Sequence, residues 1–134
     1  MSTLNRRPMR ASIIRPTTIF SAPYRRSRKK NGGEHLFDAV YCSEVIEHVP
    51  ESRSFVAAIA GLMRPGAVLY ITTPDISHWR RPKDLISWDG FSPPSHCVYF
   101  NPANLARLLA AHDLAVFKRF VSWKPVIKLL ARKI

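Results

Sequence analysis

One stretch decides the fold, and it runs from Phe37 to Pro74: FDAVYCSEVIEHVPESRSFVAAIAGLMRPGAVLYITTP. It begins with a short apolar run of strand-forming residues, Phe37 to Cys42, and ends with a second run, Val68 to Thr73. Between them, Ser52 to Met63 predicts a helix that Pro65-Gly66 terminates. Its apolar stripe is Phe55, Val56, Ile59, Leu62 and Met63. Two apolar strands joined by an amphipathic helix predict a right-handed βαβ unit, and therefore a parallel sheet covered by helices.

Several motifs in this stretch occur in a characteristic order. They are Phe37-Asp38-Ala39-Val40, Glu44-Val45-Ile46-Glu47-His48-Val49, Leu62-Met63-Arg64-Pro65-Gly66 and Thr72-Thr73-Pro74. In this order they resemble the second half of a class I S-adenosylmethionine-dependent methyltransferase, most of all the ubiquinone-type and other small-molecule O-methyltransferases. The resemblance implies an α/β, Rossmann-like fold with a mostly parallel sheet and helices on both faces. It covers roughly residues 36 to 120, so the first strands of that fold are missing.

The charge of the chain is concentrated at its amino terminus. The 134 residues carry a net charge of +12, and residues 1–33 contain nine Arg or Lys and no acid, which leaves +3 for the remainder. We interpret residues 1–33 as a basic, disordered tail, 34–123 as the partial methyltransferase domain and 124–134 as a basic carboxyl-terminal extension. Two cysteines, no signal peptide and no stretch of membrane-spanning length predict a reduced, cytoplasmic protein.

Four interpretations of the tail remain open. It is a segment without function, a mitochondrial transit peptide in a eukaryotic source, a basic arm that binds nucleic acid, or the product of a shifted reading frame. Because the excess charge does not continue onto the predicted sheet, a nucleic-acid-binding module is the weaker interpretation of the whole chain.

The resemblance implies S-adenosylmethionine as the cofactor. In that family a glycine-rich turn after the first strand and an acid after the second hold most of it, since only glycine lets the backbone approach so closely. None of the five glycines of this chain forms such a turn. The matching positions that remain are Cys42, Ser43 and Glu44, which we predict to contact the cofactor. A partner chain that supplies the missing strands would complete the site.

Acidic and imidazole side chains recur in the same loop. Glu44, Glu47 and His48 are spaced i, i+3 and i+4, which would place them on one side of a helical turn. Such groups bind divalent ions, and by the resemblance these positions hold magnesium, manganese or zinc, with His96 as a fourth ligand. The alternative is a metal-free cluster in which the acids cap the helix and the histidine packs beneath the following loop.

The segment after the second strand is long and aromatic. Residues 76–100 follow the carboxyl end of the sheet, where α/β folds bind ligands, and are either a substrate lid or a packed surface loop. Asn101-Pro102 predicts a helix start, and Leu114 to Trp123 predicts a last strand at a sheet edge.

The residues support two classes of function. The first is an S-adenosylmethionine-dependent O-methyltransferase of a small-molecule acceptor, truncated in this chain, for which no catalytic base can be assigned. The second is a non-catalytic remnant or a basic nucleic-acid-binding module.

Overall fold

The computed structural model describes residues 36–134. These residues form, in chain order, β1 (Phe37–Ser43), α1 (Ser52–Leu62), β2 (Met63–Pro74), α2 (Pro102–Ala110), β3 (Leu114–Arg119) and β4 (Val126–Lys133). Short 3-10 helices lie at Ile46–His48 and Leu85–Ser87. The tail predicted at residues 1–33, with every hypothesis that depends on it, lies outside the described residues.

The strands form one sheet in the order β1-β2-β4-β3. β1 pairs with β2 in parallel, and β4 pairs antiparallel with both β2 and β3. β1, β2 and β3 therefore run in one direction and β4 runs in the other. This confirms the predicted α/β fold and its parallel β1–β2 pair, but the described sheet is mixed and not mostly parallel, since two of its three pairings are antiparallel.

The link from α1 to β2 differs in detail from the prediction. The helix ends at Leu62, and Met63 is already extended. Pro65 disfavours helical geometry at Arg64, the residue before it, so the helix could not continue much further. The strand then bulges through Gly66, whose φ of 84° suits glycine. Leu62, the last residue of α1, was predicted to belong to the buried stripe but is 50% exposed.

One face of the sheet carries the core. Alternate residues of β2 and β4 point into it, and α1 and α2 pack against them. The central members are Val56, Ile59, Leu69, Ile71, Leu105, Leu109, Leu129 and Ala131. The predicted helix start is confirmed, since the Asn101 side chain accepts from the backbone N–H of Asn104 in a capping box and Pro102 follows it.

The opposite face bears a row of rings. Tyr41 stacks on Tyr70 with centroids 5.2 Å apart, and Tyr70 meets the edge of Phe120 at 6.4 Å. Tyr41 remains 48% exposed. Within residues 36–134 the helices thus cover one face, whereas helices on both faces were predicted, because both described helices join the same core cluster. No helix of this part of the chain is long and apolar enough to span a membrane.

The carboxyl-terminal segment is a central strand. Residues 124–134 were predicted to be an extension beyond the domain, and that prediction is wrong: β4 lies between β2 and β3 and bonds to both. Its side chains Ile127, Leu129 and Ala131 are buried. The edge strand predicted within 114–123 is confirmed as β3, although β4 follows it in sequence.

The position of β4 makes a prediction about stability. Leu129→Ala removes a fully buried side chain and should lower the free energy of unfolding by about 2–5 kcal/mol. Ile134→Ala, at a position that is 77% exposed, should change it by less than about 0.5 kcal/mol. Urea denaturation of the two variants checks this, and equal effects would show that β4 does not belong to the core.

Candidate functional site

The candidate site residues lie where β1 and β2 end. Both strands are parallel, so the loops at their carboxyl ends leave the sheet at the same edge. One loop runs from Glu44 to Val49, and the other is the long segment 76–100 that follows Pro74. We call residues 76–100 the lid segment.

Glu44 occupies an unusual backbone conformation at the start of the first loop. Its φ is 52°, in the left-handed region, and its N–H donates to the Thr72 carbonyl at 3.0 Å. Its carboxylate accepts from the Thr72 hydroxyl at 3.0 Å, so the Ser43 hydroxyl, 2.7 Å from that of Thr72, is the donor in their bond. The predicted helical turn with Glu44, Glu47 and His48 on one side is therefore wrong, because the 3-10 helix begins only at Ile46.

Glu47 is the buried acid of the site, with 1% of its surface exposed. Its Oε2 accepts from the Thr73 hydroxyl at 2.9 Å, whereas Oε1 has no hydrogen-bond partner among the described residues. Burial raises the pKa of this carboxyl above its ordinary value, and the charge of Glu44 acts in the same direction. His48 Nε2 lies 3.9 Å from Oε1.

The two histidines of the site make the same kind of contact, because the Nδ1 atom of each ring lies next to a backbone carbonyl. His48 Nδ1 lies 2.8 Å from the Ser95 carbonyl, and His96 Nδ1 lies 2.9 Å from the Gly90 carbonyl. Since a carbonyl oxygen only accepts, each Nδ1 carries a proton, and each neutral ring keeps its lone pair on Nε2. The rings meet edge to face with centroids 4.6 Å apart.

Three of the four predicted metal ligands come together. One ligand atom each of Glu47, His48 and His96 lies within 4.8 Å of the other two. Glu44 stands outside this group and is held by Thr72 instead. Metal-binding histidines commonly donate their second N–H to a carbonyl, which fixes the ring, and both histidines here do so. The unpartnered Oε1 of Glu47 also fits a cation site.

The lid segment is tied to this cluster through the backbone. The N–H groups of Cys97 and Val98 both donate to the Glu47 carbonyl, at 2.8 and 3.2 Å. Trp88, which belongs to the lid segment, is buried. A Cβ on Gly90 would overlap the Trp88 indole, so only glycine lets the backbone at position 90 approach the ring this closely. Trp79, in contrast, is 75% exposed, so part of the segment is packed and part faces solvent.

A cavity of about 580 Å³ lies between the lid segment and the carboxyl ends of the strands. Its lining includes Glu44, His96, Arg80, Trp123 and Lys124. The size is within the range of sites that hold small molecules.

Cys42 is placed differently from the other two residues predicted to contact the cofactor. Its side chain is buried in the core, and burial raises the pKa of its thiol to about 12. The thiol is therefore protonated and packed in the core, whereas the side chains of Ser43 and Glu44 are hydrogen-bonded to Thr72. Cys42 can offer only backbone groups to a ligand there.

Some residues that hold the site together were not predicted to belong to it. Thr73 holds the buried carboxylate, Thr72 holds Glu44, and the carbonyls of Gly90 and Ser95 orient the histidines. The pair Thr72-Thr73 is visible as polar residues at the end of an apolar strand. The two carbonyls had no signal, because they depend on the path of the lid segment.

Sequence comparison assigns the family. The model of the family described as methyltransferase domain matches residues 7–118. The chain belongs to this methyltransferase family. The ubiquinone biosynthesis O-methyltransferase of Aeromonas salmonicida is 33% identical over 90 residues, which are 60% of this chain and 36% of the relative. That of Hahella chejuensis is 38% identical over 69 residues, 49% of this chain and 27% of the relative. The chain thus spans about a third of these relatives.

Solved methyltransferases share the fold. Magnesium protoporphyrin IX methyltransferase of Synechocystis, with bound SAH, aligns with a TM-score of 0.57 and 15% identity over 75% of this chain and 47% of that one. The 1,6-didemethyltoxoflavin-N1-methyltransferase of Burkholderia thailandensis aligns with a TM-score of 0.55 and 20% identity over 76% of this chain and 46% of that one. The Rossmann-like methyltransferase fold predicted from the sequence is therefore confirmed, as a partial fold.

The buried carboxyl of Glu47 makes stability depend on pH. The pKa of Glu47 is higher in the folded state than the ordinary value of 4.5. Between these two pKa values the native protein keeps the Glu47 proton and the unfolded chain has lost it. The free energy of unfolding therefore falls as the pH rises from 4.5 through the raised pKa. Glu47→Gln should therefore melt at a higher temperature than wild type at neutral pH in a chelator. The difference should disappear below pH 4.5.

Glu51→Gln is the matched control, since Glu51 is exposed and its side chain caps nothing. Thermal melts across this pH range should show no gain for it. A Glu47→Gln variant less stable than wild type at neutral pH would mean that Oε1 is satisfied in the native protein.

Proposed function

We propose that this chain provides the acceptor-binding part of an S-adenosylmethionine-dependent methyltransferase that acts on a hydroxyl group of a small molecule. Three observations support the proposal: the family, the curated relatives named as O-methyltransferases, and the cavity at the carboxyl ends of β1 and β2. The observation that carries it is the convergence of Glu47, His48 and His96, of which His96 lines that cavity.

These three side chains suit a divalent ion of borderline softness. One carboxylate oxygen and two imidazole nitrogens favour zinc or manganese over magnesium, which prefers oxygen ligands alone. When bound, such an ion supplies Lewis acidity that lowers the pKa of a hydroxyl group. Ligands of one zinc ion, bound at about 2.0–2.2 Å, lie closer together than 4.8 Å, so small rotations of the side chains would complete the site.

The residues of the chain have separate tasks in this proposal. Thr73, Ser95 and Gly90 orient the ligating groups through hydrogen bonds. The lid segment, bonded to the Glu47 carbonyl, covers the site and limits the access of water. Methyl transfer is an in-line displacement at a sulfonium, which is accelerated chiefly by holding the acceptor oxygen close and aligned.

We propose that one wall of the cofactor-binding site is formed by Ser43, Glu44 and the backbone of Cys42. The position follows the general rule that ligands bind at the carboxyl ends of parallel strands. Within residues 36–134 nothing pairs with the outer edge of β1, so another wall comes from residues outside this range or from a partner chain. The glycines of the described part lie in α1, the β2 bulge and the lid segment, and not in a strand-to-helix turn.

The metal proposal predicts a stabilisation by divalent ions. Zinc or manganese at about a hundred times its dissociation constant should stabilise the wild type by about 2.7 kcal/mol, which raises the thermal midpoint by roughly 10 °C for a domain of this size. Glu47→Gln should lose most of this shift and Glu51→Gln should keep it. Thermal scans with and without each ion measure the effect.

An equal shift in wild type and Glu47→Gln would place the ion elsewhere, for instance on the exposed Cys97. The absence of a shift with zinc, manganese and magnesium alike would make the cluster structural.

The cofactor proposal predicts weak binding by this chain alone. A cofactor that contacts the protein on one side only stays largely hydrated. The free energy gained from these contacts therefore hardly offsets the translational and rotational entropy that the cofactor loses on binding. Calorimetric titration with S-adenosylmethionine should give a negligible signal for the chain and a clear one for a chimera that carries the first half of a related methyltransferase. The same chimera with alanines in its glycine-rich turn is the control and should bind weakly. Tight binding by the chain alone would show that residues 1–35 complete the site.

A further inference from the structure

The face of the sheet that α1 and α2 leave uncovered is built in rows. Residues that pair across neighbouring strands lie side by side on one face of a sheet. One such row crosses all four strands as Tyr41, Tyr70, Leu130 and Lys118. The rows on either side of it are Ala39, Val68, Arg132 and Ala115, and Ser43, Thr72 and Lys128. We call these three rows, with Phe117 and Phe120 of the β3 edge, the open face.

Aromatic rings on the open face are accessible to solvent. Tyr41 is 48% exposed, Phe117 49% and Phe120 39%. Tyr70 joins two of them into one surface, since it stacks on Tyr41 and meets the edge of Phe120. Exposed apolar surface that is contiguous in this way marks a site of interaction with a partner.

The charge of the open face is positive. Its residues include Lys118, Lys128 and Arg132 and no acid. Among residues 36–134 none of these three cations forms an ion pair. Two of them lie over aromatic rings instead: Lys118 Nζ is 5.0 Å from the ring centre of Phe120, and Arg132 Cζ is 4.8 Å from that of Phe117.

Three acids border the open face, and each already has a partner. Glu44, beyond the end of β1, accepts from the Thr72 hydroxyl. Asp75, beyond the end of β2, accepts from the N–H and the hydroxyl of Ser77. Asp38 of β1 pairs with Arg64. The three cations therefore stay available to an anion from outside.

The sign of this charge indicates which partner covers the open face. A second copy of the chain, packed face to face, would bring three cations against three more. Residues 1–33 would add nine Arg or Lys and no acid. Like charges oppose both arrangements, whereas a polyanion is complementary to the face.

The rings select among polyanions. Bases of a single-stranded nucleic acid stack on exposed aromatic side chains while basic residues track the phosphates, and open four-stranded sheets with rings on the free face serve as such platforms. In a duplex the bases are stacked on one another, so their faces are closed to these rings.

We infer that the open face binds single-stranded nucleic acid, with bases stacked on Tyr41 and the phenylalanines and with phosphates paired with Lys128 and Arg132. This binding function is separate from the metal-ligand cluster and from methyl transfer. The sequence placed the excess charge in residues 1–33, but strand pairing also collects three cations of the remainder on one face.

The test compares two probes that differ only in their bases. The probes are a labelled oligothymidylate and an abasic oligomer with the same number of phosphates, and fluorescence anisotropy measures the affinity of the full chain for each. The wild type should bind the oligothymidylate about tenfold or more tightly than the abasic oligomer. Residues 1–33 attract both probes through their phosphates alone, so the ratio of affinities reports the contacts with bases.

A ring variant then locates these contacts. Tyr41→Leu should weaken the binding of the oligothymidylate about fivefold and leave that of the abasic oligomer unchanged. Phe91→Leu is the matched control, because it also removes one ring of a stacked pair, with Tyr99 at 5.1 Å, but in the lid segment outside the sheet. It should change neither affinity.

A charge variant locates the phosphates. Arg132→Gln should weaken both probes about threefold and reduce the slope of log affinity against log salt by about 0.7. Arg53→Gln, at an exposed position of α1 on the helical side of the sheet, is the matched control and should change neither quantity. Equal thermal midpoints show that the four variants are folded, and the ratio measured for the wild type depends on none of them.

Three results would overturn the inference. Equal affinities of the wild type for the two probes would mean that no ring meets a base. A preference for the oligothymidylate that persists in Tyr41→Leu would place the bases elsewhere. Self-association in sedimentation that Tyr41→Leu abolishes would make a second copy the partner of the open face. None of these results affects the stabilisation by zinc on which the proposed function is tested.

Discussion

The burial of the Glu47 carboxylate is the constraint on which the site depends. An ionised carboxylate away from water is strongly unfavourable unless it is paired or hydrogen-bonded, and here Thr73 satisfies only one of its two oxygens. The same residue accepts two backbone hydrogen bonds from the lid segment through its carbonyl. Glu47 therefore joins the end of β2 to the lid segment, and its second oxygen lies 3.9 Å from the Nε2 atom of His48. A cation would balance this buried carboxylate, so the residue whose burial lowers the stability of the fold is also the residue that we propose as a metal ligand.

Much of the fold could be predicted from the sequence, because local signals agreed with the final structure. The apolar run Phe37 to Cys42, the helix after Ser52 and the Asn101-Pro102 cap each follow from residue pattern alone. The strand β4 escaped prediction because apolar residues and lysines occur on both of its faces, which hides the period of two. Val126, Lys128 and Leu130 lie on the half-covered face, and Ile127 and Leu129 lie in the core. A central strand of this kind is recognised only when its neighbours are known.

The candidate site could be predicted only in part, because its residues come from an irregular loop and from a segment that is distant in sequence. The grouping of Glu47 and His48 with His96, which is distant in sequence, came from the resemblance and not from spacing. The left-handed backbone at Glu44 followed from no pattern, since it depends on the bonds to Thr72 across the sheet. That conformation turns Glu44 away from the helical turn on which the spacing would place it. Spacing along a chain predicts neighbours only if the backbone conformation is regular, and functional loops often are not.

The open edge of β1 and the incomplete cofactor wall are one structural problem. β1 ends in the Ser43-Glu44 loop, and within residues 36–134 its outer edge has no partner strand. An unpaired edge strand exposes N–H and C=O groups that favour pairing with another strand. A strand that pairs with β1 in parallel would also end at the same side of the sheet, so the loop that follows it would lie opposite Ser43 and Glu44. The segment that satisfies the backbone of β1 would therefore also close the cofactor site, whether it belongs to this polypeptide or to another.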